Sequence, residues 1–324
     1  NIYRDEYRSP APDTRHILRW LAPLLLPFSW LYVIGLEIYL LPYKLGIRKR
    51  RKIDCRVVSV GNLTFGGTGK SPAVRAICEA LVKRGLKPAV LSRGHGGRLC
   101  ITGAIASDGQ KRLLEAADCG DEPAALADAL PGVPVGIGKD RAKVGRMLIE
   151  QFHPDVIVLD DGMQYWQLYR DVEIVICRAD KPFGTGLVLP AGDLREPKRG
   201  IKRADAVIIT GVETVSEDRI VELKKSIKKK APKAEIFLAK KTPYAIIDYT
   251  SGERLPVSML KGLPVVAVSG IGNPLSFETM LVDCGADIKG SLQFNDHCSY
   301  SNGEIELVKK VVQNTGVQSI ITTA

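Results

Sequence analysis

No two of the seven cysteines (Cys55, Cys78, Cys100, Cys119, Cys177, Cys284, Cys298) form a C-x-x-C pair, and their number is odd. That excludes a disulfide framework and a zinc cluster and fits a reducing compartment. The chain also lacks internal repeats, low-complexity tracts and any basic stretch interleaved with aromatics, which argues against a nucleic-acid surface. Residues 20–43 carry a single charge, Glu37, and no small-residue cleavage site follows them, which argues against a signal peptide. The chain begins without Met and ends at Ile320-Ile-Thr-Thr-Ala324, in or just after an expected strand, so one or both ends are expected to be missing.

What is present is a chain of 324 residues, 45% apolar and 25% charged, long enough for one large or two medium domains. A formal net charge of +10 favours an anionic partner: nucleotide, nucleic acid or acidic lipid. The apolar stretch 20–43 contains Trp20, Trp30, Tyr32, Tyr39 and Tyr43 with early prolines at 23 and 27, and the basic run Arg48-Lys-Arg-Arg-Lys52 follows. Aromatics at a headgroup boundary and cations beyond them read as an interfacial membrane anchor. A helix packed on the protein's own core stands as the alternative.

Beyond it the pattern is α/β. Apolar runs at 55–61, 88–92, 155–160, 172–177 and 206–210 alternate with helical patterns after Ser71 and at 122–130, 141–152 and 219–233. This predicts a parallel sheet covered on both faces, with ligands at the carboxyl ends of its strands. The expected organisation is an N-terminal membrane-associating segment 1–47 and a phosphate-loop domain 48–233. A two-stranded connector at 234–262, built from 234–239 and 244–249, and a smaller α/β domain 263–324 complete it. The run Lys228-Lys-Lys230 reads as a solvated helix face.

Between the first strand and its helix lies Thr64-Phe65-Gly66-Gly67-Thr68-Gly69-Lys70-Ser71. Backbone N–H groups of such a turn and the helix N-terminus surround a phosphate, Lys70 reaches the β/γ-phosphates and Ser71 ligates Mg²⁺. The strict motif has Gly where this chain has Thr64. Asp160 and Asp161 close an apolar strand, where carboxylates hold Mg²⁺ beside such a loop. Together the two motifs predict a nucleoside triphosphate.

The segments GNLTFGGTGKSP (61–72), LSRGHGG (91–97), CGDEP (119–123), LDDGMQ (159–164), LPAGDLREP (189–197), SGIGNP (269–274) and FNDHCSY (294–300) resemble, in order and spacing, the tetraacyldisaccharide 4'-kinase family. The resemblance implies transfer of the ATP γ-phosphoryl group to the 4'-hydroxyl of a tetraacyldisaccharide 1-phosphate, a lipid A precursor, at the cytoplasmic face of the inner membrane. It implies that Asp121 acts on the attacking hydroxyl with His297 as its partner. It also places Arg93, Arg141, Arg195 and Glu196 near phosphates or headgroup and Asn273 near the nucleotide. The chain departs from the family pattern at His95, Met163 and Tyr165, commonly Tyr, Phe and His. Two other readings remain at this point: a partitioning or metal-insertion ATPase, against which Phe65 argues where those loops carry Lys, and an ATP-dependent nucleic-acid-binding protein, favoured only by net charge and the Lys228 region.

Overall fold

The computed structural model describes residues 14–240, 242–271, 274–294 and 300–323, with side chains described from Ala22 onward. Within it Leu18–Lys240 form one compact unit and Lys241–Ala324 belong to another.

The large unit is an eight-stranded sheet. Its strands are β1 (Arg56–Asn62), β2 (Pro88–Ser92), β3 (Ala104–Ser107), β4 (Val135–Ile137), β5 (Val156–Asp160), β6 (Val172–Arg178), β7 (Ala206–Thr210) and β8 (Glu235–Ala239), in the spatial order β3-β4-β2-β5-β1-β6-β7-β8. Every pairing is parallel except that of the edge strand β3 with β4. The central strands β2 and β5 are buried at every position, which is why they read as unbroken apolar runs. The helices are α1 (Thr14–Lys44), α2 (Lys70–Lys83), a single turn α3 (Ala116–Cys119), α4 (Asp121–Ala129), α5 (Arg141–Phe152) and α6 (Glu217–Lys230). Val74 and Cys78 of α2 pack with Leu126 of α4 over Val60, Val90 and Val158, whereas Val144 and Leu148 of α5 pack over Leu91 and Ile157 on the opposite face. Leu223 and Ile227 of α6 cover Val175 and Val207. Burying both faces leaves the carboxyl edge of the parallel strands as the place for ligands.

A buried ion pair braces that edge from below. Arg170 Nε lies 3.2 Å from Glu173, whose other oxygen accepts from Ser59 Oγ at 2.6 Å. Arg170 Nη1 donates to the carbonyls of Gly162 and Tyr165, both at 3.0 Å, and so pins the turn that follows β5. Charge-assisted bonds out of water hold such a turn in one geometry.

α1 docks on this unit by one side only. Ser29 Oγ donates to the Val188 carbonyl (2.8 Å) and accepts from Ala191 N (3.0 Å), Tyr32 OH donates to the Arg195 carbonyl (2.8 Å), and Glu37 pairs with Arg199. Leu40 and Tyr43 bury against Trp166. Its other side leaves Leu24, Phe28, Trp30, Leu31, Ile34 and Ile38 exposed. Residues Ala22–Lys44, within which an 18-residue window reaches a mean hydropathy of 1.8, are long and apolar enough to cross a membrane by length and composition.

The C-terminal unit holds a two-stranded antiparallel pair, β9 (Ile246–Ile247) with β10 (Arg254–Leu255). It also has a three-stranded parallel sheet of β11 (Pro264–Ser269), β12 (Asp287–Gln293) and β13 (Ser319–Thr322), ordered β12-β11-β13. Helix α7 (Pro274–Asp283) packs Phe277 and Leu281 on one face, and α8 (Asn302–Thr315) packs Val311 on the other.

Two expectations need correction. Residues 235–239 do not pair with 244–249 as a connector: they form β8, parallel to β7, so the large unit runs past the predicted boundary at 233 to Lys240. A local pattern announces a strand but not its partner. The antiparallel pair is instead Ile246–Ile247 with Arg254–Leu255, closed by Asp248 through its bonds to Thr250 N and Ser251 N.

Candidate active site

At the carboxyl end of β1, Asn62 Nδ2 donates to the Thr64 carbonyl (2.7 Å) and Thr68 Oγ1 (2.9 Å), folding the following residues into a loop. Gly66 and Gly69 take φ of 98° and 86°, which a Cβ would disfavour, and α2 begins at Lys70. Thr64 keeps a negative φ, so this position needs no glycine. It bridges Leu194, while Phe65 N donates to the Asp193 carbonyl and Arg195 N to the Leu63 carbonyl, both at 2.8 Å. The loop is thus braced by the LREP segment, which explains the departure at Thr64. On the far side Thr210 Oγ1, at the end of β7, donates to the Thr68 carbonyl at 2.9 Å.

One strand away, β5 delivers the acidic pair. Gly61 permits it, because a Cβ there would lie 2.5 Å from Met163 Cβ. Asp161 has φ 51° and is gripped by Arg195 Nη1, 2.7 Å from each carboxylate oxygen, with Lys70 Nζ at 4.0 Å. Burial works to raise its pKa, but Lys70, Arg195 and Arg141 outweigh that and hold it below the usual carboxylate range. Asp160 behaves oppositely. It is buried, accepts from Ser92 Oγ at 3.1 Å, and its Oδ1 has no hydrogen-bond partner among the described residues. Burial first, then the Asp161 and Glu122 carboxylates, push its pKa up to about 6.

A raised carboxyl pKa means that ionisation in the fold costs stability; the cost is absent below the ordinary value of 3.8 and complete above about 6. Asp160→Asn is therefore expected to stabilise the nucleotide-free protein above about pH 7, with the gain vanishing toward about pH 4. Urea unfolding across that range checks it; a gain independent of pH contradicts it.

Arg141, buried at the start of α5, sits over the Tyr165 ring with its guanidinium carbon 4.7 Å from the centroid, and its Nε has no partner among the described residues. Tyr165 OH lies 3.2 Å from Arg51 Nη2, which pairs with Asp140. The Tyr165 side chain thus supports two arginines by stacking and hydrogen bonding.

Beyond β2, Arg93 is exposed, and the following loop lies against the start of α4. A Cβ on Gly120 would come 2.4 Å from the His95 carbonyl. Asp121, the first residue of α4, is exposed, and its side chain shows no hydrogen bond or ion pair among the described residues. Its neighbour Glu122 is close enough to raise the pKa of Asp160, so the α4 N-terminus faces the acidic strand end.

Glu196, expected near the phosphates or the headgroup, is buried in a two-point pair with Arg203 at 2.7 and 2.8 Å and accepts from Gln164 Nε2 at 2.9 Å. It braces the LREP turn, because a carboxylate so enclosed needs its cation. His297 and Asn273 lie outside the described residues. Ser92, Gln164, Arg170, Arg203 and Thr210 serve the site without having been singled out. Their signal, polar residues next to the motifs, is shared with any surface.

Among the described residues no cluster of three or more His, Cys, Asp or Glu offers a self-sufficient metal cage. A hydroxyl at Ser71 and an unpartnered buried oxygen on Asp160 do suit Mg²⁺, which takes few protein oxygens and completes its shell with water and phosphate.

The model of the tetraacyldisaccharide-1-P 4'-kinase family matches residues 21–324. A tetraacyldisaccharide 4'-kinase from Geobacter metallireducens is 38% identical over 309 residues, covering 95% of this chain and 87% of its own. One from Syntrophus aciditrophicus is 37% identical, covering 90% and 83%. The crystal structure of "apo" form LpxK from Aquifex aeolicus in complex with ATP is similar with a TM-score of 0.72 at 28% identity, covering 93% of each chain. These matches favour the kinase reading over the partitioning ATPase and the nucleic-acid protein. The chain belongs to the tetraacyldisaccharide-1-P 4'-kinase family.

Proposed function

We propose that the protein transfers the γ-phosphoryl group of ATP to the 4'-hydroxyl of a tetraacyldisaccharide 1-phosphate, giving the 1,4'-bisphosphate and ADP. The observation that carries this reading is the convergence of Lys70, Arg195 and Arg141 on Asp161 at the mouth of the phosphate loop. Phosphoryl transfer is mostly positioning and charge neutralisation, and this arrangement supplies both.

Loop amides 64–71 and Lys70 hold the β/γ-phosphates. Arg195 and Arg141 lie against the transferred group, and Arg93 takes the substrate phosphate side. Mg²⁺, when bound through Ser71, Asp160 and Asp161, supplies charge neutralisation of the triphosphate. Asp121 accepts the proton of the 4'-hydroxyl as the new O–P bond forms and the bond between the γ-phosphorus and the bridging oxygen breaks. Incubation with MgATP and tetraacyldisaccharide 1-phosphate should give a product heavier by one phosphoryl group in mass spectrometry. ATP loss with no change in the lipid would overturn the assignment.

The exposed face of α1 lies on a membrane surface at the cytoplasmic side, with Arg48, Lys49, Arg50 and Lys52 toward anionic headgroups. Burying each large apolar side chain contributes about 1.5–3 kcal/mol. Replacing Trp30, Leu31, Ile34 and Ile38 together by Ser is therefore expected to weaken binding to anionic phospholipid vesicles by roughly a hundredfold or more. These side chains point away from the docked side, so the fold should persist. Unchanged cosedimentation would leave the helix as a covering for the core alone.

A further inference from the structure

One buried carboxylate oxygen at the carboxyl edge of the sheet has no use in the transfer just described. Glu213 follows β7, in a helical turn of Val212–Thr214. Its Oε2 is buried and has no hydrogen-bond partner among the described residues. An acceptor left this way is costly unless a ligand completes it.

The location says which ligand. Sheet order places Asp160 at the end of β5, Asp161 just after it, and Arg93 just after β2, on one side of β1, with β6 and β7 on the other. A triphosphate whose γ end lies toward Asp161 must run its nucleoside toward β7. That strand is two spacings, about 10 Å, from β1, the scale of one nucleoside. β7 is tied to the loop directly, since Thr210 Oγ1 holds the Thr68 carbonyl and Gly69 lies against Thr210, where a Cβ would be 3.6 Å from Cγ2. Gly211 then turns the chain with φ 70°, and Thr214 closes the turn by donating from N (3.1 Å) and Oγ1 (2.7 Å) to the Gly211 carbonyl. Above Gly211 there is room, because a Cβ would meet nothing nearer than Thr214 Oγ1 at 3.8 Å.

We propose that Glu213 is the base-reading residue of the nucleotide site, accepting a hydrogen bond from the exocyclic amino group of the purine. This rests on the reading of ATP as the phosphoryl donor. A carboxylate only accepts, so it rewards an amino group and opposes a carbonyl oxygen at the same position. A hydrogen bond to a charged acceptor corresponds to a preference of roughly 10- to 100-fold.

The test is calorimetric binding, by the full chain with Mg²⁺, of ATP, of purine riboside triphosphate lacking the amino group, and of inosine triphosphate carrying oxygen there. The wild type should bind ATP roughly 10- to 100-fold tighter than purine riboside triphosphate, and Glu213→Ala should bring that ratio close to one. Glu213→Gln, which keeps the shape and adds a donor, should improve inosine triphosphate relative to ATP about tenfold and can be read even if the Ala variant does not fold. ATP bound tightly with the same ratios in all three proteins would overturn the role of Glu213 and leave the kinase reading standing. Failure of the wild type to bind any of the triphosphates would sink both.

Discussion

Replacing Lys70 by Ala is expected to cripple phosphoryl transfer, lowering kcat/KM by roughly a hundredfold to a thousandfold, while the protein stays folded. The size follows from removing a fixed cation from the site where charge builds up, an effect of about 3–4 kcal/mol for one preorganised donor. The retention of the fold follows from the contacts, because the recorded ion pair of Lys70 is a loose one, 4.0 Å from Asp161. Asp161 would keep its tighter grip by Arg195. Lys70→Arg should not rescue, since a planar fork cannot replace a compact ammonium enclosed in the loop. Kinetics with a thermal melt as control check this. Near-normal turnover in Lys70→Ala would sink the phosphate-loop assignment.

The second large effect is expected at Asp121. Asp121→Asn should cut kcat by roughly a hundredfold to ten-thousandfold, the range of a general base, with little change in ATP affinity. The structural alternative for an acidic residue at a helix start is a cap. Here the capping position is Gly120, and Asp121 is the first helical residue with an exposed side chain that accepts no capping bond. Substitution should therefore leave stability within about 0.5 kcal/mol, as at other exposed sites. A stability loss with unchanged kcat would make Asp121 structural after all.

Much of the site was legible because its chemistry is local. The phosphate loop declared itself by spacing within eight residues, and the structure braces it at both ends as such a loop requires. Asp160 and Asp161 were legible as a pair but not as unequals. Their opposite pKa shifts come from burial, with Asp161 and Glu122 adding to it, at Asp160 and from Lys70 and Arg195 at Asp161, and Glu122, Lys70 and Arg195 reach them from other parts of the chain. The enclosure of Glu196 was not legible, because nothing local reveals Arg203 as its partner. The short strands β3 and β4 escaped notice for the same reason that β8 lost its sheet. A few residues flanked by glycine or proline gain strand character only from a neighbour distant in sequence. α1 combined two signals, since one side is stitched to the sheet unit by Ser29, Tyr32 and Glu37 while the other stays apolar and exposed. The stitched side fits the reading of a helix packed on the protein's own core, and the exposed apolar side is what the proposed anchor rests on.

The most direct test of the central claim is the fate of the γ-phosphate, followed with ATP labelled at that group and tetraacyldisaccharide 1-phosphate as acceptor. The label should appear as a phosphate monoester at the 4' position of the lipid, in step with ADP formation, and should be largely lost with Lys70→Ala. Label released only as inorganic phosphate, at the same rate with and without the lipid, would contradict the account.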